Sequence, residues 1–412
     1  MLLKIELENF FSIKEKVCID FRAAGMNSAK ARELSDNVFE WNGAKILKCV
    51  GLFGPNASGK SNIVKAIQFC CFMIIESHTH NEGTIFNFQP FKFDGYDQKP
   101  SRFLVDFVCD DIEYEYSFSL TRTKIVTESL YHYPNGKRAK IYTRDENLEE
   151  PYSFSPGIIA KPKDIVLNTS QKNLFLSRAS SMNRELAQKL YKYFLETFLL
   201  RMVEINSITA EQNFNQYKKV ILEALSVCDT DICDINARHD KVSVPAGLPF
   251  PGGQPGMQMV DILRFQTTHT LAKNVTFDMD AEESSGTRNM FAILLRLLDV
   301  VKNKKSWMLD EFDANLHSRL SEFIIDLVHA SERSQLLFTS HNTNLISMNR
   351  FRKDQIVLVQ KKKDGSTEVY TLYDFKDFRE TMDAEKGYLQ GRFDAVPIVD
   401  TSVARLKQLL ED

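Results

Sequence analysis

Gly54-Pro-Asn-Ala-Ser-Gly-Lys-Ser61 constrains this chain more than any other segment. It fits G-x-x-x-x-G-K-[ST], and glycines at that spacing let successive backbone N–H groups turn inward around phosphate oxygens. The residues before it, Ile46 to Phe53, form an apolar run of the kind a strand buried on both faces carries. Those after it, Asn62 to about Glu76, are spaced as a helix. A strand that feeds such a loop into a helix puts the positive helix end at the same anion site. Gly54, Pro55, Asn56, Ala57, Ser58, Gly59, Lys60, Ser61 and Asn62 are therefore expected to hold a nucleotide. Lys60 would reach the β- and γ-phosphates and Ser61 would ligate Mg²⁺. The bland alternative is a glycine-rich turn with a surface lysine, and the flanking strand and helix argue against it.

Around the loop, the pattern alternates between two periods. Leu3, Ile5 and Leu7, then Val17, Ile19 and Phe21, read as paired strands. Asn27 to Asn42 reads as a loop or short helix. Phe103 to Tyr142 reads as an antiparallel meander, with Pro134-Asn135-Gly136 as a turn. From Pro162 to Val227 the pattern is helical, clearest over Arg184–Phe198 and Ala210–Val227, with no sustained heptads. Prolines and glycines at 243–257 read as a loop. Beyond it come a helix from Thr287, a strand into Asp310, a helix from Ser318, and strands at Gln335–Thr339, Ile356–Gln360 and Glu368–Leu372. The expected division is 1–160, an N-terminal lobe with the phosphate loop and the meander; 161–265, a compact helical insertion; and 266–412, a C-terminal lobe.

Composition narrows the class. Apolar residues make 43% and charged residues 26%, the balance of an ordinary globular protein and not of a disordered chain. The net charge of −3 supplies no whole-chain attraction to nucleic acid or anionic membrane, though a local basic groove remains compatible with it. The longest near-apolar run, Ala66 to Ile75, is too short to span a bilayer. The N-terminus reads as a strand and not as a signal peptide. The seven cysteines are scattered and form no Cys-x-x-Cys pair, so reduced thiols are expected, with a Cys228/Cys233 metal half-site disfavoured. A cytoplasmic protein without membrane contact is the expectation.

Three further segments carry chemistry. Trp307-Met308-Leu309 ends in Asp310-Glu311, which places two carboxylates at the C-terminal edge of a parallel sheet, where such sheets bind ligands. Asp310 would hold Mg²⁺ through water, and Glu311 would act as general base on the attacking water. His341 follows the apolar strand Leu336–Ser340. It is either a satisfied loop histidine or a sensor of the γ-phosphate, and its place one strand after the acidic pair favours the second. Glu283-Ser284-Ser285-Gly286-Thr287 opens a helix. Serine there is ordinarily a cap; the functional reading has Ser284, Ser285 and Gly286 donating to the γ-phosphate held by a second molecule. Asp278-x-Asp280 has a two-acid spacing and is read as strand-edge placement, not a nuclease site.

Together Gly54–Ser61, Glu283–Thr287, Asp310–Glu311, Asn315–His317 and His341 resemble the head of the ABC ATPase superfamily. "QPFKFD", "EESSGTRNMFAILLRLLD", "WMLDEFDANLHSRL", "LLFTSHNTNLI", "RKDQIVLVQK" and "YLQGRFDAVP" are similar to the AAA-type ABC ATPases of bacterial anti-phage defence. That group includes the RloA and abortive-infection AbiL types and the ATPase half of the PARIS system, and its heads are related to SMC and OLD proteins. The resemblance covers about 1–150 and 270–412. It implies an α/β ABC-type P-loop head with an N-terminal antiparallel β subdomain, ATP and Mg²⁺ as cofactors, Asp310 as Walker B acid and Glu311 as catalytic base. It further implies Ser285-Gly286 as a shortened signature, Ala314–His317 as D-loop, His341 as switch histidine and Gln89 as Q-loop glutamine near the metal. An ordinary turn residue before Pro90 is the other reading of Gln89.

The expected function is an ATPase that forms a homodimer, or a higher homo-oligomer, around two ATP molecules. It would act as sensor or regulator of a separately encoded effector, a nuclease or toxin, in abortive infection. The stretch after His341 is too short for a Toprim domain of the OLD kind, and the helical middle is too short for a chromosome-maintenance arm. The alternatives are a DNA-repair or chromosome-associated ATPase with DNA as ligand, and a ring-forming AAA+ remodeller, which the strand–helix order argues against.

Overall fold

The computed structural model describes residues 1–200, 202, 207–227, 231–246, 256–314 and 316–396. Its contacts divide the chain into two units, one of 1–199, 306–312 and 335–412, the other of 200–305 and 313–334. The fold is α/β.

The first unit holds two sheets. The parallel one orders its strands Phe198–Leu199, Ser306–Leu309, Gln335–Ser340, Cys49–Phe53, Ile356–Lys361 and Thr367–Thr371, the last antiparallel to its neighbour. Cys49–Phe53, Ser306–Leu309 and Gln335–Ser340 are buried at every position, which explains why they read as continuous apolar runs and not as alternating ones. Phe338 fills the middle, with ring centroids 5.9 Å from Phe53 and 4.7 Å from Phe312. Gly51 leaves room for it: a Cβ there would sit 2.6 Å from Phe338 Cζ.

The antiparallel sheet has seven strands in the order Tyr152–Phe154, Ala139–Asp145, Ile125–His132, Ile112–Leu120, Ser101–Cys109, Leu2–Glu8 and Val17–Asp20. The helix Lys60–Glu76 packs on it through Phe69, whose ring lies 5.7 Å from Phe103. Two buried polar groups lock this unit. Gln335 accepts from Leu2 N at 2.6 Å and donates to Leu2 O at 2.8 Å, which joins the two sheets where both begin. Glu128, fully buried, accepts from Tyr116 Oη at 2.8 Å, Tyr142 Oη at 2.5 Å, Phe175 N at 2.7 Å and Leu176 N at 3.0 Å. That carboxylate anchors the short helix Phe175–Ser181 to the meander.

In the second unit the helices Ile208–Val227, Ser285–Lys302 and Ser318–His329 accompany a hairpin, Ile232–Ala246 against Gly256–His269, extended by Thr276–Asp278. Phe214, Phe265 and Phe291 form its aromatic centre, with centroids 4.9 and 5.0 Å apart from Phe265.

Several expectations need correction. The middle of the chain is not purely helical, because 232–246 and 256–269 pair as long strands. Arg238 to Lys241 and Asp261 to Arg264 carry charge on half-exposed strands, which hides the period of two. The loop expected at 243–257 is narrower: strands reach Ala246 and resume at Gly256, and 247–255 lie outside the described residues. The run Ile46–Phe53 breaks at Lys48 into Ala44–Leu47 and Cys49–Phe53, and Ala44–Leu47 pairs with Val38–Trp41 inside the stretch read as loop. The helix expected over Arg184–Phe198 runs as Glu185–Lys192, then a π turn at Tyr193–Thr197. No helix among the described residues is long and apolar enough to cross a membrane.

Candidate functional site

The phosphate loop leaves the C-terminal end of Cys49–Phe53 and enters the helix Lys60–Glu76, as strand–loop–helix patterning requires. Its backbone lies directly on the neighbouring strands. A Cβ at Gly54 would meet Val359 O at 2.1 Å. Gly59 has φ +113°, and a Cβ there would meet Thr367 Oγ1 at 1.9 Å. No side chain caps the helix, and while Asn62 N and Ile63 N both donate to Gly59 O, at 3.0 and 3.1 Å, no side chain competes with an anion for the N–H groups of Lys60 and Ser61. Ser58 Oγ is buried and meets no hydrogen-bond partner among the described residues. Asn56 and Ala57 are exposed at the tip, and Pro55 and Ser61 are half-buried.

Lys60 is 5% exposed. Its ammonium donates to Gly54 O at 2.6 Å and Pro55 O at 3.1 Å. Burial lowers its pKa to about 8, against the pull of the Asp310 and Glu311 carboxylates, which raise it. That electrostatic link joins residues some 250 positions apart in sequence.

Asn62, expected at the nucleotide, instead donates its amide to Ser12 Oγ at 2.7 Å. Ser12 Oγ pairs with Thr367 Oγ1 at 2.7 Å, and Thr367 Oγ1 donates to Ser58 O at 3.0 Å. This chain of hydroxyls braces the loop from below. Nothing in the pattern around Ser12 or Thr367 separates them from an ordinary turn residue and an ordinary strand-end residue. Gln89 is half-buried, and its carbonyl accepts from Phe11 N at 2.7 Å, one residue from that brace.

Asp310 and Glu311 lie exposed just past Ser306–Leu309, at the C-terminal edge of the parallel sheet. Glu311 Oε1 is 3.9 Å from His341 Nε2. Thr339, buried on the next strand, donates to Asp310 Oδ1 at 2.6 Å and accepts from Glu311 N at 2.7 Å. A threonine in a strand is ordinary β-branched filler by sequence, so its contact with both acids was not legible there.

These groups fit a magnesium nucleotide. An anion-ready helix end and a buried ammonium stand beside an acid pair of the hard-oxygen kind that Mg²⁺ prefers. Among the described residues no group of three His, Cys, Asp or Glu side chains forms a closed metal cage, and Mg²⁺ sites ordinarily rely on one or two carboxylates plus substrate phosphates.

Glu283–Thr287, expected as a signature, lies in the second unit. Ser284 caps the helix Ser285–Lys302: its Oγ accepts from Thr287 N at 3.1 Å and pairs with Thr287 Oγ1 at 2.8 Å. The expectation that Ser284 also serves a ligand therefore meets a hydroxyl already engaged in capping. Ser285 is exposed and Gly286 half-exposed. Asn289, one turn on, donates to Ala314 O at 2.8 Å and so ties the signature helix to the expected D-loop. His317 caps the following helix by accepting from Arg319 N at 3.3 Å. Asn315 lies outside the described residues.

Two remaining candidates have structural roles. Asp278 Oδ1 accepts the N–H groups of Asp280 and Ala281, both at 2.9 Å, which closes a turn. Cys233 Sγ donates to Thr268 O at 3.3 Å, and Cys228 lies outside the described residues.

No curated protein matches the chain. Among solved structures, the Smc head domain with an extended coiled coil bound to the C-terminal domain of ScpA, from Pyrococcus furiosus, is similar at 16% identity and a TM-score of 0.41. The match covers 90% of this chain and 96% of that one. The SMC head domain from Thermotoga maritima is similar at 14% identity and 0.38, covering 90% and 98%. An SmcHead bound to the C-winged helix domain of ScpA is similar at 16% and 0.40, covering 90% and 97%. Likeness of this degree carries no statement about partners. A family model matches residues 49–220 and 247–347, most of the chain and both the phosphate loop and the acidic pair. The chain belongs to the family described as "AAA domain, putative AbiEii toxin, Type IV TA system".

Proposed function

We propose that this chain is an ATP-hydrolysing head that closes on a second copy of itself around ATP and thereby controls a separately encoded effector in abortive infection against phage. The observation that carries the reading is the convergence, within one unit, of Lys60 with Asp310 and Glu311, and of Glu311 with His341 at 3.9 Å. The family description, with its toxin–antitoxin wording, supports the abortive-infection part.

In this reading the loop N–H groups and Lys60 bind the phosphates. Ser61 and Asp310 would hold Mg²⁺, with Gln89 expected near it, and the ion would supply neutralisation of the charge developing on the phosphate oxygens. Glu311 takes the proton of the attacking water, and His341 stands beside it on the next strand. Ser285, which is exposed, and Gly286, which is half-exposed, complete the partner's site in trans through Oγ and N–H. Driving a two-state closure from 1:99 to 99:1 requires about 5.5 kcal/mol of differential binding. Charge-assisted bonds of about 1.5–3 kcal/mol each from Ser285, Gly286 and the helix end are of the right size. Their loss on hydrolysis reopens the pair.

The test is Glu311→Gln, which blocks hydrolysis while leaving ATP to bind. Light scattering is expected to give a dimer with ATP and Mg²⁺, a monomer without nucleotide, and no dimer when Ser285→Arg is added. A strictly monomeric Glu311→Gln protein at every concentration refutes the clamp. Duplex DNA retained in an ATP-dependent way without any effector would move the assignment to a DNA-associated ATPase.

A further inference from the structure

We propose that Thr339 is a positioning residue whose single hydroxyl orients both acids of the hydrolytic site, the metal-holding Asp310 and the base Glu311. The inference rests on the ATPase reading above and gives a role to a residue for which the sequence alone suggests none.

The geometry is specific. Leu309 pairs with Phe338 in parallel register, so Thr339 comes beside Asp310 just where the acidic strand leaves the sheet. Thr339 is 1% exposed, and on its other side it pairs with Leu52, two residues before the phosphate loop. A hydroxyl has one proton to give and lone pairs to receive. Here the proton goes to Asp310 Oδ1 at 2.6 Å, and a lone pair takes the N–H of Glu311 at 2.7 Å. Among the described residues this is the only hydrogen-bond partner of the Asp310 carboxylate.

Glu311 has φ +47°, the left-handed region that residues with a side chain enter only when something holds them. The Glu311 N–H bond to Thr339 is such a hold, and it sets the direction in which the general base leaves the main chain. The Thr339 hydroxyl likewise restricts the rotation of the Asp310 carboxylate, as outer-sphere hydrogen bonds do for metal-binding acids. Two residues later the same strand delivers His341 beside Glu311. One buried hydroxyl thus links two adjacent strands whose ends carry the acid pair and the histidine.

The experiment compares Thr339→Val, which keeps shape and removes both bonds, with Thr339→Ser, which keeps the hydroxyl. Affinity for a fluorescent ATP analogue is measured with EDTA and with Mg²⁺, Mn²⁺ binding in the presence of ATP is followed by electron paramagnetic resonance, and kcat and KM are measured alongside. Thr339→Val is expected to bind the analogue in EDTA as the parent does, yet to lose about 10- to 100-fold in Mn²⁺ affinity and in kcat. Thr339→Ser is expected to recover most of both. Equal loss of metal-free nucleotide binding, or a serine variant as impaired as valine, would mean the residue only supports packing and overturns the proposal. Unchanged metal affinity in Thr339→Val overturns it too. A parent protein without ATP turnover would instead count against the ATPase reading, and the Mn²⁺ measurement would still decide the role of Thr339 at Asp310.

Discussion

The lowered pKa of Lys60 makes nucleotide binding a proton-uptake reaction with a predictable profile. In the free protein the ammonium is buried against the carbonyls of Gly54 and Pro55 and titrates at about 8. Phosphate oxygens beside it would return it to the range of an ordinary lysine or above. Binding metal-free ATP should then take up about 0.1 proton at pH 7, about 0.5 at pH 8 and about 0.8 at pH 8.5. Affinity should fall about tenfold between pH 7 and pH 9, since only the protonated form binds well. The same linkage gives the sign for the free protein. Its lysine is depressed below the ordinary 10.5, so the unfolded chain binds more protons above about pH 8, and stability contributed by this group rises from there toward 10.5. Calorimetry in two buffers of different ionisation enthalpy measures the uptake directly. Lys60→Arg, which stays charged throughout, is the control and should show none in this window. Uptake near zero at pH 8.5 in the parent, or the same uptake in Lys60→Arg, refutes the assignment of that proton to Lys60.

Two further outcomes follow from packing. Gly59→Ala places a Cβ 1.9 Å from Thr367 Oγ1 at φ +113°, so it should weaken ATP binding by well over tenfold, given about 1–2 kcal/mol for the backbone conformation alone before any clash. Titration with the fluorescent analogue checks this, and parent-like affinity would show that the loop does not need its seat on Thr367. Glu128→Ala removes the acceptor of four donors and leaves Arg144, at 3.7 Å, with less counter-charge. A loss of about 3–5 kcal/mol in chemical denaturation is expected, and a change below about 1 kcal/mol would mean that the helix Phe175–Ser181 is anchored by its apolar contacts instead.

Legibility followed how local the cause was. The phosphate loop, the acidic pair after an apolar strand and the strand before His341 are each written in a handful of adjacent residues, and the structure has them where that writing puts them relative to the sheet. The paired strands 232–246 and 256–269 are not legible in the sequence because their exposed positions mix charge with apolar residues and hide the period of two. The contacts of Thr339, Ser12, Thr367 and Asn289 are not legible for a different reason. Each acts through a partner far away in sequence, Asn289 reaching Ala314 and Ser12 reaching Asn62 and Thr367. A lone hydroxyl or amide in a strand or helix carries no local mark of such a partner.

By itself, then, the order of residues determined that a glycine loop would join a buried strand to a helix end, and that two carboxylates would close a buried strand. Both depend on backbone geometry and burial within one or two elements. Only the tertiary structure decided which polar atoms meet. Inserting Gln335–Ser340 between the strand of the loop and the strand of the acids placed Thr339 on Asp310 and Glu311, and set both carboxylates within electrostatic reach of Lys60. Hydrogen bonds act over about 3 Å, and proximity on that scale between residues hundreds of positions apart is a property of the packed sheet.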